Sequence, residues 1–340
     1  MRQIVGQDGS ANFGIFDEPV GFNHEDFILR DFFGREITGL RKKLAFHAFH
    51  YLGLCGPDFI FGVAAVRLGY MNVVFSYLYT REKGLVFEYE TKGPGMGRLS
   101  FPANPDEHAI TFRKGKTRLA IEKSHQSQSL SLDAVFSGRL AVSFIAPYGL
   151  SLYKPLRVLN PSEPFRFTFT EKCSPIVPEK ISITLDGKPL SFDPGTVNVL
   201  YDWSGGYLRR ETNWYWAAFC GPANKGKASV GANFAALVNE SFYPENAYWI
   251  NKERTRLPRV IFDFSPVDPY RPWKVFTEDK AVDLVFTPLS ERSQKINAFV
   301  LKTFFRQFFG TFSGALAGSD GKPVRVDEVL GLAEYHRALW

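Results

Sequence analysis

The sequence predicts an all-β chain, folded as barrels or sandwiches, on three observations. Short β-branched or aromatic runs recur along its length, separated by Gly, Pro, Asn and Asp turns at intervals of roughly 8–12 residues. Helical periodicity is weak outside "SERSQKINAFVLKTFF" (290–305) and the C-terminal "VDEVLGLAEYHRAL", which read as short helices. One order of features also appears twice, about half a chain apart.

Taken in order, "MRQIVGQDGSANFGIF" contains no apolar stretch of signal-peptide length, so a cytoplasmic setting is expected. "KKLAFHAFHYLGL" follows as an aromatic strand. The run at 59–79 is 21 residues long with a single charge, Arg67, which is enough to span a bilayer. Its two internal glycines and its Val, Tyr and Phe content instead predict two buried strands joined near 68–72, and no transmembrane segment. "GPGMG" (93–97) lacks a strand–GxGxxG–helix setting and reads as a loop. Strands are then expected at "GLVFEYET", "HAITFRKG", "KTRLAIEKS", "SLSLDAVFSG", "FRFTFTEK", "KISITLDGKPLSF", "RVIFDFS" and "VDLVFTPL". "LDGKP" (185–189) and "GPANKGK" (221–227) have the composition of hairpin connections.

The repeat pairs 30–53 with 201–221. Each has an acidic-aromatic-Gly entry, a basic cluster, an aromatic strand and a closing Gly, followed by a Gly/Ala-rich apolar strand. At 340 residues the chain suits two domains. The expectation is an N-terminal β domain at 1–195 and a related C-terminal one at 196–340.

Composition narrows the function. Apolar content of 45% and charged content of 22% describe a globular chain. The net charge of +6 is spread along it, and its densest basic spots, Arg41-Lys42-Lys43 and Arg254 to Arg259, read as solvated faces. No nucleic-acid partner is expected. Three widely spaced cysteines form neither a disulfide framework nor a zinc site. His47 and His50, three apart on a strand, face opposite ways, so no metal site is expected there.

The segment "YDWSGGYLRRETNWYWAAFCG" (201–221) mixes three Trp with charges. On a strand, Leu208, Arg210, Thr212, Trp214 and Trp216 share one face, and Tyr207, Arg209, Glu211, Asn213 and Tyr215 the other. A wall of a ligand cavity needs such a mixture, because apolar groups bury the ligand and a few polar ones orient it. Asp202, Glu211 and Glu245 are the candidate acids, since a carboxyl in an apolar setting has a raised pKa and can protonate an alkene or a leaving oxygen. Arg210 is the candidate anion partner, with Trp214, Tyr215, Trp216, Asn233 and Asn246 in the ligand-binding set. Glu334 and His336 would share a face only if the C-terminal segment is extended.

"DWSGGYLRRETNWYWAAFCG", "GKASVGANFA", "PENAYW", "RQFFGTFSGAL" and "VRVDEVLGLAEYHRALW", in this order, resemble the bacterial family named domain of unknown function 2804. One departure is Tyr215, where the family pattern has an Arg between the two Trp. The family is distantly similar to two-barrel, lipocalin-like proteins that include carotenoid hydratase-like, tocopherol cyclase-like and fungal pericyclase-like enzymes. The resemblance implies two calycin-type antiparallel barrels in tandem and an apolar small-molecule partner, with no cofactor. The expected function is binding of that molecule in a barrel cavity, with acid–base chemistry such as hydration, cyclisation or isomerisation. A non-catalytic lipid carrier or sensor and a glycan-active β protein are the alternatives.

Overall fold

The apolar run at 59–79 folds as two antiparallel strands, Phe59–Arg67 and Met71–Thr80, turned back at Gly69 with φ +75°. Among the described residues, 1–94, 98–297 and 302–339 of this computed structural model, no helix is long and apolar enough to cross a membrane. The chain is all-β, 62% strand and 5% helix, in curled antiparallel sheets of half-barrel form. Hairpins close at the expected places: Asp186 and Gly187 take positive φ between Lys180–Leu185 and Lys188–Pro189, and Asn224 and Lys225 do so before Ala228–Ala236. Of the "GPGMG" loop, 95–97 lie outside the described residues.

An eight-stranded sheet has Asn198–Tyr207 and His47–Cys55 at its centre, flanked by Arg166–Ile176 on one side and Phe59–Arg67, Met71–Thr80 and Gly84–Pro94 on the other. One of its faces packs on a seven-stranded sheet formed from residues 99–147 and 180–189, and Leu52, Phe61, Ile121 and Phe144 fill the space between them. A nine-stranded sheet holds Glu211–Ala223, Pro323–Leu339 and Lys302–Ala317 at its centre. It curls around its own core of Phe219, Phe234, Trp273 and Phe312.

The two stretches expected to be helical are strands. Val282–Asn297 and Lys302–Ala317 pair across 298–301, which lie outside the described residues, and Pro323–Leu339 is extended throughout. At the C-terminus the physical reason is a bulge. Phe312 pairs with Val329 but Gly314 with Val326, so Asp327 and Glu328 together stand against Ser313; one residue is extra and the two-residue period breaks. Val326, Val329 and Leu330 then stand at the i, i+3, i+4 spacing of a helix face while remaining in a sheet.

The eight- and nine-stranded sheets meet through their other faces. Tyr51, Ile60 and Tyr77 from the first pack against Trp216, Phe309 and Leu332 from the second. The Tyr79 and Phe309 rings stack at 4.6 Å, and Tyr51 meets Trp216 edge-on at 5.8 Å. Strand Asn198–Tyr207 belongs to the first sheet and Glu211–Ala223 to the second, so the chain changes sheets across 208–210. The division of the chain into two units remains a proposal.

Closeness at this junction depends on Gly231. A Cβ there would lie 2.4 Å from the Ser174 backbone of the facing sheet, far inside van der Waals contact. Gly231→Ala is therefore expected to lower unfolding free energy by about 2–4 kcal/mol. Gly93→Ala, where a Cβ meets nothing within 4 Å, is expected to stay within about 0.5 kcal/mol. Urea unfolding checks both, and equal effects would show that the sheets do not pack this tightly.

Candidate functional site

Because the chain changes sheets at 208–210, the strands on either side face each other across a gap. Asp202, Ser204 and Gly205 line it from the first strand, and Thr212, Trp214 and Trp216 from the second. Leu208, in the crossing itself, lines it too. Tyr215 points the opposite way, into the nine-stranded core, with Phe264 at 5.1 Å and Phe262 at 5.9 Å. The aromatic and polar mixture of 201–221 thus has a physical cause: these strands are buried on both faces.

The gap is a cavity of about 250 Å³. Val66, Val73 and Phe75 wall it from the eight-stranded sheet, and Trp214, Trp216 and Phe305 from the nine-stranded one. This corrects the expectation of a cavity inside one barrel. The concave side of each curl is filled by its own core, and the open space lies between the two sheets.

Three polar groups interrupt the apolar wall. Glu334, 6% exposed, is the first. The indole Nε1–H of Trp214 donates to its Oε1 at 2.6 Å, and Gln307 Nε2 donates to its Oε2 at 2.9 Å. Burial pushes this carboxyl up to about 7, against the two hydrogen bonds and the nearby Arg292 charge, which favour ionisation. His336, two residues on, faces the same cavity because the strand is extended. Its ring lies 4.1 Å from Trp214, its Nε2 is 2.5 Å from Thr303 Oγ1, and burial takes its pKa down to about 3, so it is neutral at physiological pH.

The second group joins two of the candidate acids. Lys172 forms ion pairs with Asp202 and, at 3.8 Å, with Glu245. Ser204 Oγ donates to Asp202 at 3.4 Å, and the Asn239 amide donates to Glu245. Burial pushes the Glu245 carboxyl up, and Lys172 and Asn239 pull it part of the way back. The third group is Lys92, 2.6 Å from Glu90, with the Gln294 amide donating to the same carboxylate. Arg292 stands beside it. Its Nε donates to Glu88 at 3.0 Å, and its guanidinium lies 4.5 Å from the Phe75 ring centre and 5.2 Å from that of Phe305.

Of the other candidate residues, Asn233 and Asn246 sit behind the wall as braces. Asn233 accepts from Trp216 Nε1 at 2.8 Å and donates to the Glu245 carbonyl at 2.7 Å, while Asn246 Oδ1 accepts from the Ala235 amide at 2.7 Å. Arg210 and Glu211 are exposed at the crossing and do not line the cavity, because the facing sheet covers this strand only from Thr212 onward. His47 lines the cavity, whereas His50 turns into the first core against His108, with ring centres 5.1 Å apart. Glu334, whose role depended on an extended C-terminus, is thus the most strongly shifted acid of the site. Arg292, Gln307 and Lys172 did not stand out as site residues. Lys172 leaves one trace, a second charge in the otherwise apolar "FTFTEKC".

Fold and site together define an all-β protein of curled sheets with a mostly apolar cavity carrying a buried acid. The chain belongs to the family described as Domain of unknown function (DUF2804), whose profile matches residues 3–340. No curated protein matches it in sequence. Among solved structures it is similar to CghA, solved with Sch210972, at 12% identity over 99% of this chain and 97% of that one, with TM-score 0.51. It is also similar to kievitone hydratase from Nectria haematococca, at 14% identity over 84% and 88% of the two chains, with TM-score 0.46. At these identities the likeness to CghA is one of fold.

The raised pKa of Glu334 makes stability depend on pH. The folded state holds this proton more tightly than the unfolded state, so the contribution is fully present below the ordinary value of 4.5 and is lost as pH rises to about 7. The loss amounts to about 3 kcal/mol. Glu334→Gln cannot ionise, and the free Oε1 of Gln307 can turn to accept from the new amide. Urea titrations should therefore show wild type losing stability relative to Glu334→Gln across that window. A difference between the two proteins that does not change with pH would contradict the assignment.

Proposed function

We propose that this protein binds an apolar small molecule in the cavity between its eight- and nine-stranded sheets and carries out acid–base chemistry on it, with Glu334 as the group that moves the proton. The observation that carries the reading is a carboxyl held near neutrality in an apolar wall. A general acid works best when its pKa lies near the operating pH, and burial brings Glu334 to about 7. A carrier of a neutral lipid gains nothing from a buried carboxyl, which costs free energy unless it is used or paired.

Hydration, cyclisation and double-bond isomerisation share one requirement that this site meets. Protonated Glu334 delivers a proton to a double bond or a carbonyl oxygen, and the resulting carboxylate recovers one from carbon or from water. Trp214 and Gln307 fix the carboxyl plane and stabilise the ionised form after transfer. Neutral His336 adds a polar edge without charge. Asp202 and Glu245, paired through Lys172, form a second polar end that orients the ligand. The fold is shared with CghA, solved with a small molecule, Sch210972. All three cysteines are unbridged and buried, which fits the reducing cytoplasmic setting proposed from the sequence.

The test is native mass spectrometry of protein purified from its own host, followed by solvent extraction. One co-purifying apolar compound is expected, and Ala235→Trp, which fills the cavity from strand Ala228–Ala236, should lose it. Wild type should convert that compound, and Glu334→Gln should do so at least about a hundredfold more slowly. A compound retained equally by Ala235→Trp would place binding elsewhere and overturn the reading.

A further inference from the structure

The cations of the cavity wall differ in how fully their N–H groups are met. Lys92 has Glu90, and Lys172 has Asp202 and Glu245. Arg292 is 5% exposed and lines the cavity, yet its one carboxylate partner among the described residues, Glu88, takes the Nε–H at 3.0 Å from a position that is 45% exposed. Its Nη1 is buried and has no acceptor among the described residues. A guanidinium presents five N–H donors and cannot lose its charge, so an unmet Nη1 is a standing demand for an acceptor. Leaving such a donor unpaired in a buried site costs more than leaving a neutral one.

The rings around Arg292 prevent the chain from meeting that demand. Phe75, Tyr77 and Phe305 crowd the guanidinium at 4.5, 5.0 and 5.2 Å, holding it by its faces and supplying no oxygen that accepts from Nη1. Gln307 is unmet in the complementary sense. Its Nε2 is committed to Glu334, and its Oε1 is buried in the same cavity wall with no donor among the described residues. A wall designed for pure hydrocarbon would need neither group.

We infer that Arg292 anchors the ligand's headgroup, and that the compound filling this cavity is an apolar acid, with an anionic oxygen (carboxylate, enolate or phenolate) set on Nη1. This rests on the cavity being the binding site, as proposed above, and narrows the class of compound that occupies it. A charge-assisted N–H···O bond to such an oxygen is stronger than one to a neutral ester or ketone, and the aromatic surround excludes the water that would weaken it. Gln307 Oε1 is left to accept from a hydroxyl of the same ligand. The charge of Arg292 already acts on Glu334, so an anion set on Nη1 falls within electrostatic reach of the group that moves the proton.

Pyrenebutyrate and its methyl ester separate the two ideas, because they share the apolar body and differ in the charge on the headgroup. Wild type is expected to bind the acid at least about tenfold more tightly than the ester, by fluorescence titration. Arg292→Met should remove that preference while changing ester affinity less than about threefold. Glu88→Gln, which removes the outer partner of Arg292 and leaves Nη1 untouched, should keep it. Equal binding of acid and ester by wild type overturns this inference and leaves the cavity reading standing. If neither probe binds, both fall together. Should Arg292→Met fail to fold, the acid-to-ester ratio in wild type and in Glu88→Gln still decides the matter.

Discussion

The rest of the structure depends on the short crossing at 208–210. Three residues carry the chain from the centre of one sheet to the centre of the other, so the two sheets must lie face against face. Strands beside the crossing are then covered twice, once by their own core and once by the opposing sheet. That double burial explains why 201–221 carries aromatic residues at every phase of the strand. It also explains why Gly231 must be Gly, since Ser174 of the facing sheet occupies the space of a Cβ. Where the faces do not close, the cavity remains.

Burial has different consequences for different charges. In the first core, Glu171 accepts from Lys123 and Tyr148, both at 2.6 Å, and pairs with Arg157 at 3.1 Å. Burial pushes its carboxyl up, but the two cations outweigh that and hold it below the usual range. Arg157 in turn pairs with Asp106 at 2.7 Å, and Asp106 fastens the amide of Val20 in the N-terminal arm at 2.8 Å. This network is internally balanced and bonded to structural elements. Glu334 has the same burial but neutral partners, Trp214 and Gln307, so desolvation prevails and the proton stays available. The contrast separates a structural carboxylate from one suited to chemistry.

Much of this was legible in the sequence, for identifiable reasons. Alternation and turn chemistry located the strands, including the two in the 59–79 run, because Gly69 and its neighbours break the segment before it could span a bilayer. Alternation also placed Leu208, Thr212, Trp214 and Trp216 on one face. The helix expectation at the C-terminus was overturned because a bulge disguises the two-residue period, and the one at 290–305 because that stretch is the end of one strand and the start of the next. The location of the cavity could not be read, since period-two logic tells which residues share a face but not what covers it. For the same reason Lys172, Arg292 and Glu171 did not stand out. Glu334 was recoverable only conditionally, through the statement that an extended C-terminus would bring it and His336 to one side.

The account turns on a single protonation state, so the most direct measurement is isotope-edited infrared difference spectroscopy of the labelled Glu334 carboxyl across pH, with Glu334→Gln as the blank. A protonated carboxyl band that disappears with a midpoint of about 7 is the predicted result. A midpoint at the ordinary value of 4.5 would contradict it, leaving a cavity without an acid to act in it.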